Sequence, residues 1–192
     1  MYNRDRLEEA LRLLSEFLGE QTPKECLIIS GGAALTIDGV VSRTTKDVDV
    51  VALLDERSIV DARPLPSVIK NASLLVAQTL GLNEDWLNDG PASQINFGFP
   101  DGFADRLEPR RYGDHLKVYF IGRLDQIHFK LFASVDQGPG KHTQDLLALR
   151  PTSEEMVTAG QWVKGQDASE LFQKLLKETM EGLGYGESAR RI

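Results

Sequence analysis

Residues 28–51, IISGGAALTIDGVVSRTTKDVDVV, combine an apolar run, a glycine pair, a second apolar stretch and an acidic segment. Residues 26–29 (CLII) have the length and composition of a buried strand, and Ser30, Gly31 and Gly32 follow directly as a turn. Residues 33–37 (AALTI) resume helical character. From Asp47 the chain alternates acidic and apolar residues, which predicts a strand with one face on a core. The segment therefore predicts strand, glycine turn, helix and strand.

The acidic strand carries the best candidate for metal chemistry. Asp47 and Asp49 occupy alternate positions, so their side chains project from the same face about 6.6 Å apart. Two such carboxylates suit a hard cation such as Mg²⁺, although a solvated strand edge with no metal explains the pair as well. The turn Ser30-Gly31-Gly32 is a nest of backbone amides suited to phosphate oxygens. The sequence thus places a candidate phosphate-binding turn close to a candidate metal-binding pair of carboxylates.

Outside this segment, hydrophobic spacing predicts further helices and strands. The pattern over 7–18 is that of an amphipathic helix lying against a sheet. Thr152-Ser-Glu-Glu155 and Asp167-Ala-Ser-Glu170 have the spacing of capping boxes. The remaining expectations are a helix over 66–80, a long irregular region over 83–112 with short extended pieces at Ile95, Phe97, Phe99 and Phe103, a strand over 116–121, a helix over 124–133 and an all-helical last third.

Composition limits the class of protein. The chain has 192 residues, of which 41% are hydrophobic and 27% charged, so one main globular core is expected and global disorder is excluded. The net charge of −7 argues against duplex-DNA binding through a broad basic face. Cys26 is the only cysteine, so an intrachain disulfide is excluded. With no export signal and no membrane-spanning segment in the sequence, we expect a cytoplasmic protein.

The motifs resemble the nucleotidyltransferase superfamily, whose members pair a Gly-Gly or Gly-Ser turn with a downstream Asp-x-Asp strand. GGAAL at 31–35 and RTTKDVDVV at 43–51 are most similar to the minimal, polymerase-beta-like bacterial members of the abortive-infection and toxin-antitoxin type. The tail LRPTSEEMVTAGQWV at 149–163 resembles an uncharacterised branch of them. The resemblance implies an α+β fold, with a small mixed sheet flanked by helices in a domain at 1–150 and a helical extension at 151–192.

For chemistry, the resemblance implies metal-dependent transfer of a nucleoside monophosphate from a nucleoside triphosphate to an acceptor hydroxyl on RNA, protein or a small molecule. Asp47 and Asp49 match the ligands of Mg²⁺ or Mn²⁺, and Lys130 and Asp145 match weaker catalytic motifs. Other readings stay open for Lys130, as a solvated helix position, and for Asp145, as a helix-surface carboxylate or a partner of Lys130 or Lys141. The residues implied to bind the nucleotide are Ser30, Gly31, Gly32, Arg43, Lys46 and Lys130.

The sequence departs from the superfamily pattern at two places. Gly32 stands where many active members have serine, and the predicted strand at 116–121 carries Lys117 where a third carboxylate is expected. Asp114 and Asp38 are the candidate substitutes for that acid. The departures give the alternative function, a catalytically degenerate binding or antitoxin-like protein that acts on a toxin or antitoxin partner.

Overall fold

The computed structural model of the chain describes residues 1–19, 25–55, 58–94 and 98–192. The fold is α+β, as the sequence predicted, with a mixed sheet and helices. The chain forms two compact units, one of Met1–Ile95 with Ala104–Ile121 and the other of Asn96–Phe103 with Gly122–Ile192. These units are defined by packing, and the predicted division into domains at residue 150 stays a prediction.

The first unit holds the sheet and the helices that cover it. Its elements are α1 (Arg4–Leu18), β1 (Glu25–Ser30), α2 (Gly31–Ile37), β2 (Val48–Asp55), β3 (Ser58–Val60), α3 (Ser67–Leu80), β4 (Leu87–Asn88), β5 (Glu108–Tyr112) and β6 (Leu116–Phe120).

The sheet has the strand order β3-β2-β1-β6-β5, and β4 also pairs with β2. β1 and β2 are antiparallel, so the end of β1 lies beside the start of β2. β4 runs parallel to β2 at that same start, whereas β3 pairs with the far end of β2. The end of β1, the start of β2 and the short strand β4 therefore meet at one place in the sheet.

The core of the first unit follows from the hydrophobic pattern. In α1, Leu7, Leu11 and Leu14 are fully buried on the predicted apolar face, and α1 packs against α3. The helix begins where the side chain of Asn3 accepts a hydrogen bond from the amide of Arg6 at 3.0 Å. β6 buries Leu116 and the two residues that alternate with it, as expected of a strand with one face on the core.

The second unit is helical from residue 123 onwards. Its helices are α4 (Arg123–Gln137), α5 (Lys141–Ala148), α6 (Ser153–Gln166), α7 (Glu170–Gly182) and α8 (Gly186–Ala189). α4 packs against α5, α6 and α7. Across the described parts of the chain, every helix is too short or too polar to cross a membrane.

One predicted capping box is confirmed and the other is wrong. Thr152 and Glu155 form the reciprocal pair at the start of α6, with bonds of 3.2 and 2.8 Å. Asp167 instead ends α6 and accepts from the amide of Ser169 at 2.7 Å. Ser169 caps α7 instead, and its hydroxyl accepts from the amide of Phe172 at 3.3 Å. α6 extends to Gln166, so Asp167 and Ala168 form the connection between the two helices.

The region 83–112 is more regular than the sequence predicted. β5 occupies Glu108–Tyr112 and pairs antiparallel with β6. Its sequence, EPRRY, is largely polar because the strand lies at the sheet edge, and no apolar alternation marks it. The extended pieces predicted at Ile95 and Phe97 lie outside the described residues.

Candidate functional site

The acidic segment lies where three strands meet. Asp49 is the second residue of β2 and pairs with Ser30, the last residue of β1. Asp47 directly precedes β2, and both aspartates are half-buried. Asp49 therefore lies beside the end of β1, and Asp47 lies one residue before β2 begins.

The glycine turn touches the second of these carboxylates. Gly31 has a φ of +76°, a backbone conformation that a residue with a side chain rarely adopts. A Cβ atom at Gly31 would lie 2.5 Å from Oδ2 of Asp49. Only glycine therefore fits at this position, and it brings the backbone of the turn directly against the acid.

Arg43 lies over the next glycine. A Cβ at Gly32 would lie 3.1 Å from one guanidinium nitrogen of Arg43 and 3.0 Å from Oγ1 of Thr45. The chain around Arg43 and Thr45 is tied to the amino-terminal residues by two backbone hydrogen bonds between Tyr2 and Thr45, of 2.6 and 3.0 Å. The hydroxyl of Thr36 donates to the Arg43 carbonyl at 3.1 Å. The structure thus places a cationic side chain against the glycine turn.

Two further residues predicted to bind nucleotide flank this cluster. Ser30 is 4% exposed and directly precedes α2, and its side chain makes no capping bond to that helix. Lys46 is exposed and directly precedes Asp47. The structure therefore brings Ser30, Gly31, Gly32, Arg43 and Asp49 together, with Asp47 and Lys46 adjoining them.

Asn88 is a further residue of the site, and no motif in the sequence predicts its role. In β4 it pairs with Asp49, and its Nδ2 lies 3.4 Å from Oδ1 of Asp49 and 3.5 Å from the carbonyl of Val48. Its own Oδ1 accepts from the amide of Gly90 at 3.0 Å, which fixes the orientation of the side-chain amide. A turn signal, Asn-Asp-Gly at 88–90, is present, but a two-residue strand leaves no periodicity to detect.

The strand at 116–121 does not lie beside the acidic segment. β6 pairs with β1, and Lys117 lies opposite Cys26, near the far end of β1 from Ser30. Ile121 follows β6 on the near side, and its amide donates to the Ile29 carbonyl at 3.2 Å. On the β6 side of β1, therefore, apolar Ile121 and not a carboxylate lies next to the start of the glycine turn.

The two candidate substitutes for the third acid lie in environments different from that of Asp47 and Asp49. Asp114 lies just before β6, beyond the end of the sheet opposite to Ser30. Asp38 ends α2 and forms an ion pair with Arg110. Burial raises the pKa of the Asp38 carboxyl, and the Arg110 charge offsets only part of this shift. Within the described residues, no three His, Cys, Asp or Glu side chains form a cluster able to hold a metal ion.

Lys130 and Asp145 belong to the second unit, where they pair with each other. The Lys130 ammonium donates to Oδ2 of Asp145 at 2.7 Å, and the two residues are 4% and 1% exposed. The pair joins α4 to α5. Of the readings left open by the sequence, this geometry agrees with a structural partnership, and the catalytic roles stay predictions.

A family model described as a nucleotidyltransferase of unknown function (DUF6036) matches residues 5–139. The chain belongs to this nucleotidyltransferase family. The matched span contains the glycine turn, the acidic segment, Asn88 and Lys130, and it ends before Asp145. Comparison of this nucleotidyltransferase with curated proteins and with solved structures gave no match.

Proposed function

We propose that the protein is a metal-dependent enzyme that transfers a nucleoside monophosphate from a nucleoside triphosphate to an acceptor hydroxyl on RNA, protein or a small molecule. The contact between Gly31 and the Asp49 carboxylate carries the proposal. It puts a backbone turn that has no side chain beside an acidic group, as a site for both phosphate and cation requires. Family membership supports the same class of reaction.

Asp47 and Asp49 fit a hard divalent cation, because they offer two half-buried carboxylates two residues apart at the start of β2. Mg²⁺ is commonly held by one or two carboxylates, with substrate phosphates and water as its other ligands. Mg²⁺ or Mn²⁺ bound there would neutralise charge on the triphosphate oxygens. The donor set of this structure therefore agrees with the metal that the family resemblance implies.

The residues around the acidic segment bind and orient the nucleotide. Gly31 and Gly32 expose backbone without a Cβ, so that phosphate oxygens can approach the main chain closely. Arg43 compensates part of the triphosphate charge, and exposed Lys46 adds a second cation. Asn88 orients the Asp49 carboxylate from the neighbouring strand.

The proposed reaction forms a bond between the acceptor oxygen and the α-phosphorus. The bond from the α-phosphorus to the oxygen bridging to the β-phosphate breaks, and pyrophosphate leaves with that electron pair. The proton of the acceptor hydroxyl passes to water. Positioning and charge neutralisation supply the catalysis, as is usual for transfer at phosphorus.

Label transfer from α-labelled nucleoside triphosphates tests the proposal. The protein is incubated with each of the four triphosphates, Mg²⁺ or Mn²⁺, and fractions of RNA, protein and small molecules. We expect Asp47→Asn and Asp49→Asn each to lower transfer by about a hundredfold or more, because charge stabilisation at the phosphates is lost. Asp55→Asn, at the exposed far end of β2, is the matched control and should transfer at the unsubstituted rate.

Two outcomes would contradict the proposal. The first is transfer that persists undiminished in the Asp47→Asn and Asp49→Asn variants. The second is the absence of transfer from every triphosphate to every fraction, which would favour the degenerate binding protein of the antitoxin-like type.

A further inference from the structure

Tyr2, in the segment before α1, contacts two separate parts of the chain that lead into the candidate site. Its backbone forms two hydrogen bonds with Thr45, of 2.6 and 3.0 Å, as an isolated antiparallel bridge. Its phenolic hydroxyl accepts from the amide of Asn83 at 2.9 Å. Tyr2 is 7% exposed and belongs to the core of the first unit. One buried residue therefore joins the chain that enters β2 to the chain that enters β4.

Thr45 connects Tyr2 to the first aspartate of the acidic segment. The hydroxyl of Thr45 is buried and donates to the carbonyl of Asp47 at 3.3 Å. The same oxygen lies against the glycine turn, since a Cβ at Gly32 would be 3.0 Å from it. A shift of Tyr2 would therefore be felt both at one proposed metal ligand and at the turn.

Asn83 connects Tyr2 to the second aspartate. The carbonyl of Asn83 accepts from the amide of Trp86 at 3.1 Å, and the carbonyl of Trp86 accepts from the amide of Val48 at 2.6 Å. Asn88, two residues after Trp86, pairs with Asp49. The bonds on the Thr45 side and those on the Asn83 side meet at the start of β2, so the chain and its hydrogen bonds form a closed ring there.

The short strand β4 makes the bonds of Tyr2 important for this geometry. β4 pairs with β2 over two residues, which is one point of attachment between the segments 45–49 and 83–88. Tyr2 provides a second point at the other end of the ring. Two points fix the angle between the segments as well as their distance. The side-chain nitrogen of Asn88, 3.4 Å from Oδ1 of Asp49, depends on that angle.

We propose that Tyr2 is a positioning residue of the candidate site, which fixes Asp47 and the pair of Asp49 with Asn88 relative to each other. It thereby sets the affinity of the two carboxylates for a divalent cation. A displacement of about 1 Å, caused far from the chemistry, can lower a rate about a hundredfold, so a residue outside the site can control it. The effect on metal rests on the function proposed above, whereas the effect on geometry does not.

Amide hydrogen exchange tests the geometry without metal or nucleotide. Tyr2→Phe removes the hydroxyl and keeps both the ring in the core and the backbone bonds to Thr45. We expect the Val48 amide, which donates to the Trp86 carbonyl, to exchange about threefold to tenfold faster in this variant, because the ring of bonds opens more often. The amides of β6 lie in the same unit and report its overall stability, and they should be accelerated less than Val48.

Direct titration with Mn²⁺, followed by water-proton relaxation, tests the effect on the carboxylates. We expect Tyr2→Phe to weaken Mn²⁺ binding about fivefold, which is less than the 10–100-fold typical of a side chain that bonds directly to a metal ligand. The Mg²⁺ concentration that gives half-maximal label transfer should rise by the same factor. A loss of folded protein would lower only the maximal rate, so this readout separates positioning from stability.

Tyr185→Phe is the matched control. The half-buried hydroxyl of Tyr185 donates to the Pro151 carbonyl at 2.8 Å in the second unit, so this variant also removes one tyrosine hydrogen bond. We expect Val48 exchange, Mn²⁺ affinity and the half-maximal Mg²⁺ concentration to stay at their unsubstituted values.

Equal acceleration of Val48 and of the β6 amides in Tyr2→Phe would overturn the inference, because Tyr2 would then act on stability alone. So would an Mn²⁺ affinity that Tyr2→Phe leaves unchanged. If the unsubstituted protein neither binds Mn²⁺ nor transfers label, the proposed function fails, and the exchange of Val48 alone decides whether Tyr2 positions the two segments.

Discussion

Substitution of Gly31 by alanine separates the two constraints on the glycine turn. The first is the φ of +76°, which costs about 1–2 kcal/mol for a residue with a side chain. The second is the contact at 2.5 Å with Oδ2 of Asp49, which adds about 1–3 kcal/mol as overpacking. Alanine also lowers the conformational entropy of the unfolded chain, which stabilises the folded state by about 0.4–1 kcal/mol. We expect Gly31→Ala to lower the free energy of unfolding by about 2–4 kcal/mol.

Gly39→Ala is the control for backbone strain alone. Gly39 has a φ of +72°, and a Cβ there would have no neighbour within 4 Å. We therefore expect a loss of about 1 kcal/mol at this position. The difference between the two variants measures the contact with Asp49.

A double variant then tests whether Asp49 is the cause. Asp49→Ala removes Oδ2 and Cγ and leaves only its Cβ, 3.6 Å from the added methyl group, which is an ordinary contact. In that background we expect Gly31→Ala to cost about as much as Gly39→Ala, which gives a coupling of about 1–3 kcal/mol between the two sites.

Urea denaturation followed by tryptophan fluorescence measures these values. All variants carry Trp162→Phe, so that buried Trp86 reports on the first unit alone. Equal losses at Gly31 and Gly39, or a loss at Gly31 that Asp49→Ala does not reduce, would refute the contact as the reason for glycine.

Three further variants test other parts of the structure. Lys130→Met leaves the Asp145 carboxylate buried without its ammonium partner and should lower the free energy of unfolding by about 3–5 kcal/mol. The double variant Lys130→Met with Asp145→Leu should recover most of this loss. Urea denaturation measures both variants, and no recovery in the double variant would contradict a structural pair. The Arg123 hydrogen bond lowers the pKa of the Glu155 carboxyl from its ordinary 4.5, so the pair stabilises the fold above that pH and the stability is lost as the pH falls through the folded-state pKa. Glu155→Gln should therefore flatten the decrease in unfolding free energy between about pH 5 and 3, measured by urea denaturation at each pH, and an unchanged slope would exclude this carboxyl as its source. Asn88→Ala should lower label transfer about tenfold with little change in stability, because Asp49 loses the side chain that orients it, and full activity would remove Asn88 from the site.

Local patterns predicted the elements that carry their own periodicity. The apolar face of α1, the strand before Gly31 and the capping box at Thr152 each depend on residues a few positions apart. For the same reason the motif around Gly31 and Asp49 could be identified, because both lie in adjoining elements of one short segment. Local signals were sufficient wherever the partners are close along the chain.

Pairing between distant segments was not predictable in the same way. β4 exists because Val48 and Asp49 pair with Leu87 and Asn88, which are 39 residues away in sequence. Polar β5 is a strand because β6 offers it an edge. Asn88 therefore became visible only in the folded chain, although it adjoins residues that the sequence had already singled out.

The packing of Arg43 over Gly32 ties the position of a cation to the residue at 32. A serine at position 32 would put its Cβ 3.1 Å from the guanidinium of Arg43 and 3.0 Å from Oγ1 of Thr45, so the ends of these side chains would have to shift by a few tenths of an ångström. A serine at 32 would therefore displace the charge that lies against the glycine turn without excluding the arginine. The absence of a Cβ at Gly32 thus sets how closely that charge approaches the main chain.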